Sequence, residues 1–423
     1  MLKFRRVGAA KVLLAVLIFV MAAFILLSFS KEKFDARAFL FMALTMLLIM
    51  VQHMLLCFIL PNGDRLTGVL VGFLMGIGLV MQYRLNADTA LRQLIFSCFG
   101  LAAMVIMLML MKKPIMLMYL RIPAAIISLG ILGALMFVGK ESGGAVNWIS
   151  IGGILFQPSE FVKIAMIIVL AGAMSERTSL RELIVPTLFA VAVCALLVLQ
   201  RDLGAAMLMA MVYMLMFYAA TCKLGTTLLG AAACGVGAVA SYYLFDHVKR
   251  RVAVWRDPWA TYSTSGYQIA QGLMAIASGG LLGMGLGLGS PKLIPAYRTD
   301  YIFAVICEEF GIVFGIGIMA VYLIIVIRGC MAALSVKNRF VSLCAFGASA
   351  LIAVQTFIII GGVIKLIPLT GITMPFVSYG GSSLIAFMML HGIIQAASDI
   401  GAGELERALE ADEDEEESGE DDI

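Results

Sequence analysis

Residues 12–30 read VLLAVLIFVMAAFILLSFS, nineteen positions without a single charge. At about 1.5 Å of rise per residue, such a run crosses a hydrocarbon core roughly 30 Å thick, provided that a helix satisfies every backbone group. The same reading recurs along the chain. Segments 38–60, 66–83, 93–111, 122–139, 183–199, 203–221 and 224–245 are comparably apolar, and four more (161–174, 301–327, 340–364 and 374–397) carry polar interruptions. About twelve spans result, so the expected fold is an all-α polytopic integral membrane protein.

The composition agrees. Apolar residues make up 62% of the 423, charged residues only 13%, and the mean hydropathy is +1.02, far outside the balance of water-soluble domains. Lys3, Arg5, Arg6 and Lys11 flank a first span that is long for a signal segment and has no A-x-A-like site behind it, so it reads as a retained anchor. The eight cysteines all lie in or beside apolar runs without C-x-x-C spacing; neither a disulfide framework nor a metal centre is expected. His53, His247 and His391 are too scattered to form a site. The formal net charge of +3 conceals an asymmetry. From Glu404 onward twelve acids stand against Arg407, leaving 29 basic and 15 acidic residues in 1–403, a net +14. The stretch 401–423 is expected to be a disordered acidic cytoplasmic tail, and the basic remainder suits an anionic lipid surface; no nucleic-acid partner is implied.

Short loops rich in Lys and Arg stay in the cytoplasm. With the N-terminus inside, Lys112, Lys113, Arg121, Arg177, Arg181, Lys223, Arg328, Lys337 and Arg339 are cytoplasmic, against an outer set of Lys31, Lys33, Arg37, Arg84, Arg92, Lys140, Arg201 and Lys365. Both termini are then cytoplasmic and the long connection 247–300 is extracytoplasmic. The polar motifs collect on that outer face. Chemistry there has no nucleotide sugar or ATP to draw on and needs an already activated, lipid-linked substrate.

Each motif has a functional and a plainer reading. Glu160 and Lys163 share one helical face at the edge of a span, as a structural ion pair or a substrate contact. Lys249-Arg250-Arg251 through Trp255-Arg256-Asp257-Pro258-Trp259 mixes cations with interfacial aromatics, either an anchor belt or a clamp for lipid phosphates. Tyr267-Gln268-Ile269-Ala270-Gln271 opens an apolar stretch too short to span, followed by GGLLGMGLGLGS at 279–290. That run is not a phosphate-binding G-x-x-x-x-G-K-[ST] loop; its glycines suit a re-entrant segment. Asp300 either caps the next helix or holds a carboxylate at the membrane surface, and at least one of Glu308 and Glu309 faces the bundle interior. The stretch 368–383, PLTGITMPFVSYGGSS, breaks a helix and restarts it, as cavity-lining backbone or a tight helix crossing.

These motifs resemble, in order and over about residues 65–398, the SEDS proteins, the family of FtsW, RodA and SpoVE. The matching stretches are Asn147-Trp148-Ile149-Ser150-Ile151-Gly152-Gly153 with Gln157-Pro158-Ser159-Glu160 and Lys163, 200–204, 250–259 with Gly266-Tyr267-Gln268, the glycine run, Thr299-Asp300 with Glu308-Glu309, and 368–383. The resemblance implies a ten-helix core that polymerises lipid II glycan strands at the outer face of the bacterial cytoplasmic membrane, in division, elongation or sporulation. It also implies a class B penicillin-binding protein and the divisome or elongasome as partners. Residues and resemblance together give Asp300 as the catalytic residue, with a substrate surface of Trp148, Gln157, Glu160, Lys163, Asp202, Arg250, Arg251, Arg256, Tyr267, Gln268, Gln271, Lys292, Arg298, Ser378 and Tyr379. Family members commonly read Pro-Glu-Ala-His-Thr-Asp where this chain has Pro295-Ala296-Tyr297-Arg298-Thr299-Asp300, and Gln-Pro-Asp where it has Gln200-Arg201-Asp202. An arginine two residues before Asp300 is expected to favour its anion and weaken it as a base. Residues 1–62 add a helix pair to the family core, 63–400.

The expected chemistry is an inverting glycosyl transfer in which one sugar hydroxyl attacks the anomeric carbon of a second lipid-linked disaccharide and a lipid diphosphate departs. Asp300 activates the hydroxyl; cations of the loop and Lys163 neutralise the leaving group. No cofactor is required, and a divalent cation, Mg or Mn, is optional. Two rivals use the same features. A lipid II flippase needs polar groups reachable from both sides, whereas the cytoplasmic halves are poor in them. A non-catalytic scaffold for a penicillin-binding protein needs no base.

Overall fold

Short polar side chains start the apolar helices by capping their first free amides. Asp64 accepts from the backbone of Leu66 and Thr67, Asn86 from Asp88 and Thr89, Asp202 from Ala205, and Asn338 from Phe340 and Val341. The structure, a computed structural model, describes residues 8–29, 34–142, 145–151, 154–176, 179 and 181–420. Lys3, Arg5, Arg6, Lys31, Lys33, Gly152, Gly153 and Arg177, all used in the sequence reading, lie outside the described residues.

Five long helices come first: α1 (Ala9–Phe29), α2 (Arg37–Ile59), α3 (Arg65–Leu85), α4 (Ala87–Met111) and α5 (Pro114–Val138). An antiparallel meander follows, of β1 (Lys140–Ser142), β2 (Ala145–Ile151) and β3 (Ile154–Phe156), with Ile149 opposite Phe156. Next are α6 (Ser159–Glu176), α7 (Ile184–Leu199), α8 (Leu203–Thr221) and α9 (Leu224–Leu244). The long connection folds into α10 (Asp246–Arg256), α11 (Tyr267–Gly279), a 3-10 turn at Pro291–Leu293 and α12 (Ile302–Phe310). The chain closes with α13 (Ile312–Ser335), α14 (Arg339–Val363) and α15 (Gly381–Glu420).

Among the described residues, ten helices are long and apolar enough to cross a membrane: α1 to α5, α8, α9 and α13 to α15. The eighteen-residue α6 and sixteen-residue α7 pack in the same bundle, α6 against α5 and α14 and α7 against α8. The all-α polytopic reading therefore holds, with three differences. The meander at 140–156 is an addition to it. The run 301–327 is two helices, broken at Gly311 (φ +86°), whose added Cβ would meet the Leu281 carbonyl oxygen at 2.3 Å. Where a disordered tail was expected from residue 401, α15 continues helically to Glu420, in a stretch rich in the helix formers Glu and Ala.

The N-terminal pair is packed into the core. Phe19 stacks near Phe314 and meets Phe73 edge-on, while Phe24 and Phe41 surround Tyr83 of α3. The Tyr83 hydroxyl donates to Asp35 at 2.9 Å, tying the α1–α2 turn to the end of α3. At the opposite end of the bundle the Arg328 guanidinium grips both carboxylate oxygens of Asp64, and Lys112 faces Asp399 at 3.8 Å. Broken backbone gathers at the end opposite these two pairs, so the bundle has two unlike faces.

Candidate active site

At the end where α3 and α5 finish and α6, α8 and α15 begin, three non-helical segments converge: the meander, 296–301 and 364–380. They enclose a cavity of about 570 Å³. Ten of the sequence-predicted residues border it: Trp148, Gln157, Glu160, Lys163, Asp202, Arg250, Arg251, Gln268, Asp300 and Tyr379. Backbone and side-chain hydrogen bonds hold the walls. Val146 N–H donates to the Gln200 carbonyl at 3.0 Å, Asn147 Nδ2 to Asp202 Oδ2 at 2.6 Å, and Gln157 N–H to Ser382 Oγ at 3.0 Å.

Asp300 lies just before α12, and no side chain caps that helix; its N-cap residue is Tyr301. The capping reading of Asp300 is thereby corrected. Its carboxylate instead faces the cavity beside Gly371, where an added Cβ would stand 3.6 Å from Oδ2. Burial pushes the carboxyl up to about 6, with Thr299 and the Arg251 guanidinium pulling the other way. The expectation that Arg298 holds the anion is also overturned. Its guanidinium turns aside to Thr89 Oγ1 at 3.2 Å and the Tyr297 hydroxyl at 2.8 Å, because those oxygens satisfy it away from the cavity.

Across the cavity, Lys163 Nζ donates to Glu160 Oε1 at 2.8 Å and to Gln355 Oε1 at 3.0 Å. Both charged side chains are almost fully buried, at 2% and 6% exposure. Glu160 Oε2 is buried without a hydrogen-bond partner, while both residues of the pair line the cavity, so the pair is a structural bridge within the cavity wall. Arg251 likewise has two attachments: it borders the cavity while Nη1 donates to the Thr370 carbonyl at 3.1 Å. Arg250 beside it is exposed. Carboxylates and cations are thus neighbours on the cavity lining, Glu160 with Lys163 and Asp300 with Arg251 near enough to favour its anion.

Six predicted residues stand elsewhere. Arg256 and Lys292 are exposed away from the cavity walls, the one at the end of α10 and the other in the 3-10 turn. Gln271 donates to the Tyr262 hydroxyl at 3.0 Å and Tyr267 packs on the Tyr262 ring, within an aromatic surface that also includes Trp259. Ser378 is buried, its hydroxyl donating to the Thr299 carbonyl at 2.7 Å, and Arg298 is placed as above. Glu308 and Glu309 do face inward, but toward the glycine run: Ser290 and Gly287 amides donate to them at 3.1 and 3.0 Å, and Arg84 faces Glu309 at 3.1 Å. Gly283, Gly285 and Gly287 take φ of +86°, +106° and +92°, which explains the glycines without any ligand.

Arg201, Asn147, Thr370 and Ser382 also line the cavity; the sequence singles out none of them as a site residue, although it reads 368–383 as cavity-lining backbone or a tight helix crossing. For Arg201 a signal existed. It stands in the middle of the Gln200-Arg201-Asp202 motif and takes φ +63°, an uncommon backbone for such a residue. Among the described residues no three His, Cys, Asp or Glu side chains converge as a metal site.

The sequence matches the family described as Cell cycle protein, that of FtsW, RodA and SpoVE, over residues 64–400. It is 34% identical over 368 residues to the peptidoglycan glycosyltransferase RodA of Mycobacterium tuberculosis (strain ATCC 25618 / H37Rv), covering 80% of this chain and 78% of that one. Stage V sporulation protein E of Bacillus subtilis (strain 168) is 34% identical over 351 residues, covering 79% and 96%. Among solved structures, a chain from a peptidoglycan synthase complex that coordinates polymerization and crosslinking superposes with a TM-score of 0.69 at 25% identity, over 79% of this chain and 97% of that one. The chain belongs to the FtsW/RodA/SpoVE family.

Proposed function

We propose that this chain is a peptidoglycan glycosyltransferase that lengthens glycan strands from lipid II at the outer face of the cytoplasmic membrane. The observation that supports it most is the Asp300 carboxylate, free of any capping role and raised to about 6, in a cavity also lined by Lys163, Arg250 and Arg251. In the reaction, Asp300 accepts the proton of the acceptor 4-hydroxyl as that oxygen bonds to the donor anomeric carbon; the bond from that carbon to the diphosphate oxygen breaks, and the electron pair leaves with the lipid diphosphate. A carboxyl raised this far is a stronger base than an ordinary aspartate yet mostly ionised at neutral pH. The cations lower the energy of the charge developing on the leaving group. Glu160 holds Lys163 in place on that wall.

Both termini are cytoplasmic in this reading, and a single-pass transpeptidase of the class B penicillin-binding type binds along the helices, for the chain resembles a member of a synthase complex. Purified lipid II incubated with the purified chain and such a partner should give a ladder of glycan strands. Lipid II transport across sealed vesicles without strand synthesis would replace the polymerase with a flippase; neither activity, with the partner's crosslinking dependent on this chain, would leave a scaffold.

A further inference from the structure

Asp300 belongs to no helix, so its position depends on what grips 296–301, a segment in which Ala296 takes φ +55°. Besides the Arg298 side chain on Thr89, three hydrogen bonds from other segments reach the carbonyls of this one. Gln82 Nε2 donates to the Arg298 carbonyl at 3.2 Å, the Tyr379 backbone amide donates to that same carbonyl at 2.9 Å, and Ser378 Oγ donates to the Thr299 carbonyl at 2.7 Å. The last two come from the segment 374–380, which is itself gripped from behind. Gln93 Nε2 donates to the Ser378 carbonyl at 3.1 Å, and the Gly380 amide donates back to Gln93 Oε1 at 3.4 Å.

Gln82 and Gln93 sit on α3 and α4, are 0% and 1% exposed, and do not border the cavity. A buried primary amide in a membrane-spanning helix is costly unless its hydrogen bonds repay the desolvation, and an aliphatic side chain would fill the same space without that cost. What the amides provide is reach. They deliver donors from two long helices to backbone carbonyls of two irregular segments. The end of α3 is itself fixed just beyond that contact, by Tyr83 on Asp35 and by Arg84 on Glu309 and the Gly289 carbonyl.

We infer that Gln82 and Gln93 are positioning residues for glycosyl transfer, holding 298–299 and 378–380 against each other so that the Asp300 carboxylate stands at a fixed place on the cavity wall. The inference rests on the assignment of Asp300 as the base. Neither glutamine touches substrate; each acts through backbone.

Gln82→Met keeps the side-chain volume and removes the donor. Assayed with lipid II and the partner synthase, it is expected to keep wild-type yield and thermal stability and a KM within about twofold, while kcat falls at least about tenfold, since a shift of about 1 Å in a reacting group can cost about 10²-fold. Should Gln82→Met fail to fold, Ser378→Ala, which cuts the grip on Thr299 from the other side, is held to the same expectation. Asp300→Asn measured in parallel separates the two claims. An inactive Asp300→Asn with a wild-type kcat in Gln82→Met overturns the positioning role alone, and a polymerising Asp300→Asn removes the base and the positioning role with it. A drop in thermal stability matching the loss of kcat, with KM rising too, marks the glutamine as a structural prop and overturns the inference.

Discussion

Below about pH 6 the Asp300 carboxyl holds a proton and cannot accept another. Its value is raised, so the active, ionised form is lost as pH falls through about 6, and kcat/KM should decline on that acid limb, well above the limb near about 4 that an ordinary aspartate would give. Replacing Arg251 by Gln removes a cation that favours the anion, and the limb should move to higher pH; a pH–rate profile of the two proteins measures it. Lys163→Met leaves the Glu160 carboxylate buried without its partner, and should cost about 3–5 kcal/mol in a thermal or denaturant melt, most of it recovered when Glu160 is also made neutral. The type and order of these residues were legible in the sequence. Their directions were not: whether Arg298 turns toward Asp300 depends on Thr89 and Tyr297, oxygens that no spacing rule selects.

The broken elements carry the site, and they are where periodicity fails. Apolar runs gave most spans directly, because a membrane helix needs little beyond length and hydrophobicity. The meander escaped notice because β1 and β3 are only three residues each, and β2 holds the end of the bundle through Val146 and Asn147 rather than through a strand-like pattern. The glycine run was legible as irregular backbone, but not as a collar around Glu308 and Glu309. That collar makes a contrast. At Gly283 the backbone is left-handed and an added Cβ would meet the Glu309 carbonyl oxygen at 2.3 Å, so Gly283→Ala should lower stability by roughly 1–3 kcal/mol. At Gly235, in mid-α9 with nothing within 4 Å, Ala should be neutral or slightly stabilising. Melting the two variants in the same detergent tests the difference.

For the whole molecule, the arrangement places every cavity wall at one end of the bundle and the Asp64–Arg328 and Lys112–Asp399 pairs at the other. With both termini cytoplasmic, a cysteine at the exposed position Leu282 should react with an impermeant reagent on intact cells, while one at Ser418 should react only after permeabilisation; the reverse pattern would put the site on the wrong side for lipid-linked substrate. The central claim is that this end of the bundle makes glycosidic bonds with Asp300 as base. Asp300→Asn tests it most directly, because the side chain caps no helix and its replacement removes a proton acceptor with little else. Polymerisation of purified lipid II by that variant, with its partner synthase bound as in wild type, is expected to fall by about 10² to 10⁴-fold; strand synthesis at the wild-type rate would contradict the account.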